Sequence, residues 1–146
     1  MAPLEPRGGA IALYLRKEEI GREAYMRVCE QDGPGALASL TRYRTLAAGP
    51  GAVLVELSPK TGRMHQLRVH LAHLGRPILG DPRYGGALMA AGAPVPRLML
   101  HAAALSFPHP ETGDKHRIEA PPPQDFVEMA LKGGIERNAI GLPDIS

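Results

Sequence analysis

The stretch from Val53 to Tyr84 limits the choice of fold more than any other part of the chain. It reads VLVELSPKTGRMHQLRVHLAHLGRPILGDPRY and changes its period part-way. Val53–Leu57 is β-branched and apolar except for Glu56, which predicts a strand. Ser58, Pro59 and the Thr61-Gly62 pair break it. A helix is expected from about Arg63 to Leu74, with Thr61 as its N-cap and Gly75 as its left-handed stop. Pro77 to Asp81 reads as a tight extended passage leading to Tyr84-Gly85-Gly86. A strand that feeds a short helix and then turns back needs a sheet to lie on, which points to an α+β domain.

On a wheel of about 100° per residue, Met64, Leu67, Leu71 and Leu74 form one stripe. Gln66, Val69, His70 and His73 lie opposite or to the side. Arg68 falls only about 40° from Met64, at the edge of the face expected to be buried. A guanidinium there needs an anion or several acceptors, because an unpaired buried charge is very costly. Its neighbours one turn away are Met64, His65, Leu71 and Ala72, and none is a carboxylate. Its partner therefore comes from another segment, from outside these residues, or is a phosphate. His65, His70 and His73 are too spread around the helix to converge on one ion, and His65 to His70 misses the i, i+4 spacing, so no metal site is expected.

At 146 residues the chain has the length of one domain. Gly and Pro number 17 and 15 and are spread out, which suits a loop-rich α+β domain rather than low complexity. Cys29 is the only cysteine, which excludes a disulfide framework and a cysteine zinc site and fits a reducing cytoplasm. No apolar run approaches membrane-spanning length, and no membrane role is expected. Charge is unevenly placed. Lys60 to His101 carries six basic residues against Asp81 alone, a net of +5, while the remainder has 11 basic and 14 acidic residues. A basic centre on an acidic remainder points to a localised anionic partner, with RNA the natural candidate.

In chain order, Met1 to about residue 8 reads as a flexible arm. Strands are expected at Ile11–Leu15, Ala24–Cys29 and Leu37–Leu46, the last forming a hairpin with Val53–Leu57 across Gly49-Pro50-Gly51. Ala87–Pro96 reads as a surface loop. Leu98–Phe107 reads as a strand because Pro108 and Pro110 stop it and a Glu111–Asp114 turn follows. Its Leu100–Phe107 part is expected beside Val53–Leu57, with Lys115–Glu119 as partner. A helix is expected from Gln124 to Lys132, and residues 133–146 as a frayed tail. The fold expectation is thus a mixed, mostly antiparallel sheet with short helices.

Thr61-Gly62-Arg63-x-His65-Gln66-Leu67-Arg68-x-His70, followed by Leu74-Gly75-x-Pro77-Ile78-Leu79-Gly80-Asp81-x-x-Tyr84-Gly85, strongly resembles the RluA-type pseudouridine synthases, which modify ribosomal and transfer RNA. Ala38–Tyr43, Leu100-His101-Ala102, Leu105-x-Phe107-x-His109-Pro110 and Ala120-Pro121-Pro122 also look similar to that family. The resemblance implies that residues 9–132 correspond to the C-terminal half of the catalytic domain. It further implies isomerisation of uridine to pseudouridine in flipped-out RNA, with no cofactor. The family's nucleophilic aspartate stands in an H-R-L-D type motif, and none of Asp32, Asp81, Asp114, Asp125 and Asp144 has that context.

By the same resemblance Arg68 is the catalytic partner of that missing Asp. Arg63, His65, Gln66 and His70 lie near the active site and RNA. Thr61, Gly62, Gly75, Gly80, Asp81 and Tyr84 serve backbone geometry, Asp81 and Tyr84 by ordering the turn after Pro77. The expected partners are RNA and a missing N-terminal half, and the chain alone is expected to be inactive. A non-catalytic RNA-binding remnant of the family and a small α+β interaction domain are the alternatives.

Overall fold

A computed structural model describes residues 7–90, 92–108 and 115–140. Its centre is an antiparallel sheet in the order β2-β1-β3-β4. The strands are β1 (Gly8–Ile20), β2 (Glu23–Cys29), β3 (Leu37–Ala48) and β4 (Val53–Pro59). All four contain the strands read from the sequence and extend them. Along β3 every second residue from Ser39 to Thr45 is buried, the period-2 signature of a sheet with one covered face. A bulge between Thr45 and Ala47 shifts the β3–β4 register near the hairpin end.

The covered face lies under a single short helix, α1 (Gln66–His73). Ile11 and Tyr43 of the sheet pack with Leu71 of α1 and with Ile78. Leu15 and Met26 pack with Val69. Each such side chain removed from water contributes about 1.5–3 kcal/mol, so two small clusters hold the helix on the sheet.

The helix differs from its sequence reading in two ways. It begins at Gln66, with His65 rather than Thr61 at the N-cap. Its buried residues are Gln66, Val69, His70 and Leu71, whereas Met64 and Leu74 are 45% and 39% exposed. The wheel assigned burial by apolarity. The sheet instead offers hydrogen-bond partners to Gln66 and His70, which lets two polar side chains take the covered face.

Beyond α1, Gly75 adopts φ 77° and ends the helix as expected. Within 87–96 there is a two-stranded hairpin, β5 (Met89–Ala90) and β6 (Ala93–Pro94), where a plain loop was expected. Leu98, Met99 and Leu100 pack on the Ile11–Tyr43 cluster. The strand that follows, β7 (Ala104–Pro108), pairs with β8 (Lys115–Glu119) in a separate two-stranded sheet, not beside β4. The expected Leu98–Phe107 strand is thus only partly present, since residues 98–103 are not strand, while Lys115–Glu119 is its partner as expected. An apolar run carries no information on which edge a strand joins. The Glu111–Asp114 turn lies outside the described residues. Every pairing among the described residues is antiparallel.

Helix α2 (Gln124–Lys132) has the expected bounds. Part of the tail expected to fray after it is packed. Gly51 N–H donates to Gly133 O at 3.0 Å, Ile135 is buried, and Arg137–Ile140 forms a 3-10 turn. No helix among the described residues is long and apolar enough to cross a membrane.

Candidate functional site

The Thr61–His70 segment divides between two sides of α1. One side is knitted to β3. Gln66 Nε2 donates to Leu40 O (3.0 Å) and Thr41 Oγ1 (2.9 Å), while its Oε1 accepts from Thr61 Oγ1 (2.7 Å) and Arg63 N–H (3.1 Å). Leu40 N–H returns a bond to Thr61 Oγ1 at 3.0 Å. Arg63 Nε donates to Ala38 O at 2.9 Å. Ser39 Oγ donates to Leu13 O (2.7 Å) and lies 2.8 Å from His70 Nε2. The hydroxyl proton being spent on Leu13, His70 must donate through Nε2–H. That leaves Nδ1 as a buried acceptor without a partner among the described residues. Burial, with a smaller push from His73, lowers the His70 pKa and keeps the ring neutral. Gln66, His70 and Thr61 therefore fix the loop and helix to the sheet.

The other side of α1 faces the turn after Pro77. Arg68 Nε donates to Asp81 Oδ2 at 3.0 Å and Nη2 donates to Asp81 Oδ1 at 2.7 Å. Asp81 Oδ1 also accepts from Arg83 N–H (3.0 Å) and Tyr84 N–H (3.3 Å). Of the sources left open for the Arg68 partner, another segment of the chain supplies one. Asp81 lies 13 positions downstream, beyond the one-turn window searched on the helix. The turn brings it back because Gly80 holds φ 81° at a point where an added Cβ would strike Arg97 O. Gly85 is likewise left-handed, but Gly62 is not and has open space around it, so the backbone there does not require glycine.

Burial alone would raise the Asp81 pKa. The Arg68 hydrogen bonds and charge, with the two backbone N–H groups, outweigh it and hold the carboxyl below its ordinary value. Asp81 is fully buried, whereas the Arg68 side chain stays 17% exposed. Nη1 of Arg68 has no hydrogen-bond acceptor among the described residues.

Tyr84 sits between Arg68 and His65. The guanidinium carbon is 5.3 Å from its ring centroid, and the His65 ring meets it edge-on at 5.7 Å. Met26 N–H donates to the Tyr84 hydroxyl at 2.9 Å, and that hydroxyl lies 2.8 Å from His65 Nδ1. With one side of the oxygen taken by Met26, the phenol proton goes to Nδ1 and the His65 proton sits on Nε2. Burial, then the Arg68 and Arg83 charges, lowers the His65 pKa and favours this neutral form. His65 has φ 52°, and it is the non-glycine residue held in the left-handed region among those described.

Three neighbours escaped the sequence reading. Tyr25 on β2 stacks edge-on to Tyr84 at 6.1 Å, with Arg27 and Arg83 over its ring at 5.5 and 5.6 Å. Arg83 Nη1 donates to Ala24 O at 3.1 Å, fastening the turn to the edge strand. Ser39 supplies the His70 partner. No sequence signal marks them, since each acts through a contact made only when β2 or β3 comes under α1. The basic centre is also less open than its count implies. Arg68 is held by Asp81, Arg97 by Asp125, and Arg83 Nη2 stands 3.7 Å from Glu23.

Residues 4–73 match the family model described as RNA pseudouridylate synthase. The chain is 46% identical over 124 residues to ribosomal large subunit pseudouridine synthase C of Salmonella typhimurium, covering 80% of this chain and 36% of that protein. It is 36% identical over 135 residues to synthase D of Vibrio vulnificus, covering 86% of this chain and 42% of the relative. The chain belongs to the RNA pseudouridylate synthase family. Among solved structures, human RNA Pseudouridylate Synthase Domain Containing 1 superposes with a TM-score of 0.60 at 30% identity, over 81% of this chain and 49% of that one. The human Domain Containing 4 protein has the same fold, with a TM-score of 0.68 at 24% identity over 92% and 59%. The chain thus spans well under half the length of the curated synthases it matches, and its fold is that of a pseudouridine synthase segment.

Proposed function

We propose that this chain is part of a cytoplasmic RNA pseudouridine synthase acting on ribosomal or transfer RNA, with the nucleophilic aspartate supplied from outside these 146 residues. In that reaction the bond between the base and the sugar breaks, the base rotates, and C5 is joined to the sugar. Arg68 is the group assigned to hold the nucleophilic carboxylate. The observation that carries the reading is the Nη1 edge of Arg68, left without an acceptor on a side chain otherwise fixed by Asp81. A guanidinium has five donors in a planar fork, so two bonds to Asp81 leave room for a second carboxylate. Asp81 itself is a poor candidate for the nucleophile. It is fully buried and each oxygen is engaged by Arg68. His65 stands beside Arg68 through Tyr84, Arg63 is held to β3 through Ala38 O, and both are assigned to the RNA. Gln66 and His70 are assigned to holding that loop on β3.

The test is pseudouridine detection on total ribosomal and transfer RNA. The chain alone is expected to bind structured RNA weakly, with affinity that falls as salt is added, and to make no pseudouridine. Joined to an upstream segment with the H-R-L-D aspartate, it is expected to become active, and Arg68→Ala to abolish that activity while lowering RNA binding only modestly. An active 146-residue chain would overturn the assignment of the nucleophile. An inactive joined protein that still binds RNA would favour a non-catalytic RNA-binding role.

A further inference from the structure

Arg68 and Asp81 differ in a way an ordinary structural ion pair does not require. The carboxylate is wholly occluded, while the Arg68 side chain stays 17% exposed. Asp81 engages Nε and Nη2, one edge of the planar fork, and leaves Nη1 without an acceptor among the described residues. The same carboxylate orders Arg83 and Tyr84 through their backbone N–H groups. Tyr84 in turn supports the Arg68 guanidinium with its ring and holds His65 with its hydroxyl. His65 Nε2, like Arg68 Nη1, has no acceptor among the described residues. One buried carboxylate therefore sets the orientation of two groups whose remaining nitrogens have no acceptor among the described residues.

We propose that Asp81 is a positioning residue, which locks Arg68 by its Nε–Nη2 side so that the Nη1 edge is presented to a second oxyanion. The proposal rests on the assignment of Arg68 above and adds the residue that aims it. A free Arg side chain has much rotamer entropy to lose, and a fork already held at two donors loses little more when a second anion arrives. The second anion is either a carboxylate from the rest of the enzyme or a phosphate of RNA, and the two arms of the test separate these sources.

The first arm uses the 146-residue chain and needs no activity. Nitrogen-15 spectra of the arginine side chains are expected to show a protected, slowly exchanging Arg68 Nε–H, unlike that of Arg76. Titration with inorganic phosphate should move the Arg68 signals if phosphate is the second anion and leave them unchanged if it is not. Asp81→Asn should return the Arg68 Nε–H to fast exchange, and Asp81→Glu should restore part of the protection. Because Asp81→Asn could fail to fold, the unmodified chain also decides. An Arg68 Nε–H that exchanges as fast as that of Arg76 overturns the proposal.

The second arm uses the protein joined to its H-R-L-D segment. Asp81→Asn is expected to lower kcat about 100-fold, the scale of a misplacement near 1 Å, with KM unchanged. RNA affinity should stay equal or rise, since a negative charge beside Arg68 is removed. Losses of kcat and RNA affinity that both track the folded fraction would assign Asp81 to the fold alone and overturn the proposal. If the unmodified joined protein makes no pseudouridine, the functional reading fails, while the first arm still reports what Asp81 does to Arg68.

Discussion

Two bidentate Arg–Asp pairs among the described residues have nearly the same bonds. Arg68 meets Asp81 at 3.0 and 2.7 Å, and Arg97 meets Asp125 at 2.7 and 3.0 Å. Their settings differ. Asp81 is fully buried and Arg68 mostly so, whereas Arg97 and Asp125 are each 39% exposed. Asp81 also holds two backbone N–H groups of its turn. Asp125 Oδ1 accepts from Phe126 N–H at 2.7 Å, and Arg97 Nη1 donates to Leu98 O and Leu100 O, all near the surface. Bond length therefore does not rank ion pairs. What ranks them is the water each group has lost and the number of other bonds that fail when one partner goes.

Removing Asp81 is the largest expected effect. Asp81→Asn leaves Arg68 unpaired under the turn and weakens the acceptor for Arg83 and Tyr84. A loss of about 3 kcal/mol in urea unfolding is expected, the low end for a broken buried pair because Arg68 keeps some exposure. A loss no larger than that of an average surface change would erase the distinction between the two pairs.

Acid should separate the pairs next. The folded Asp81 pKa lies below its unfolded value of about 3.9, so its contribution is complete above that value and is lost as pH falls through the lower folded pKa. His65 and His70 also have lowered pKa values in the fold. They are neutral there and take up protons on unfolding, so stability should already decline as pH drops below about 6.5. Melting curves across pH should show both stages in the wild type. Asp81→Asn should flatten the acid stage. Asp125→Asn should leave both stages in place.

Tyr84→Phe is a finer probe of the buried side. It removes the acceptor of Met26 N–H and the donor to His65 Nδ1 while keeping the ring under Arg68. About 1–2 kcal/mol of destabilisation is expected from these part-buried bonds. The His65 imidazole signals should lose their fixed Nε2–H tautomer in nitrogen-15 spectra. An unchanged tautomer would show that the backbone at His65, not the phenol, sets the ring. Smallest of all is the exposed pair. Asp125→Asn should leave the melting midpoint unchanged within error, and whatever change it makes should vanish in high salt.

The sequence by itself determined the sheet strands β1 to β4, the bounds of α2, the left-handed stop at Gly75 and the anomaly at Arg68. Each is written in short-range terms: period two, punctuation by Gly and Pro, or a charge beside an apolar stripe. It also carried the family, because motif identity survives without coordinates. Other features were settled only by tertiary contact. Thr61 left the N-cap because Leu40 N–H and Gln66 compete for its hydroxyl. Gln66 and His70 turned inward because Leu40, Thr41 and Ser39 of β3 could satisfy them. β7 paired away from β4 because an apolar run does not name its edge. Arg68 found Asp81 13 positions on, past the helix end and a turn, a span no helix wheel covers. Local pattern fixes what a segment prefers to be. Which polar groups may be buried depends on partners that only the assembled fold brings within hydrogen-bond reach.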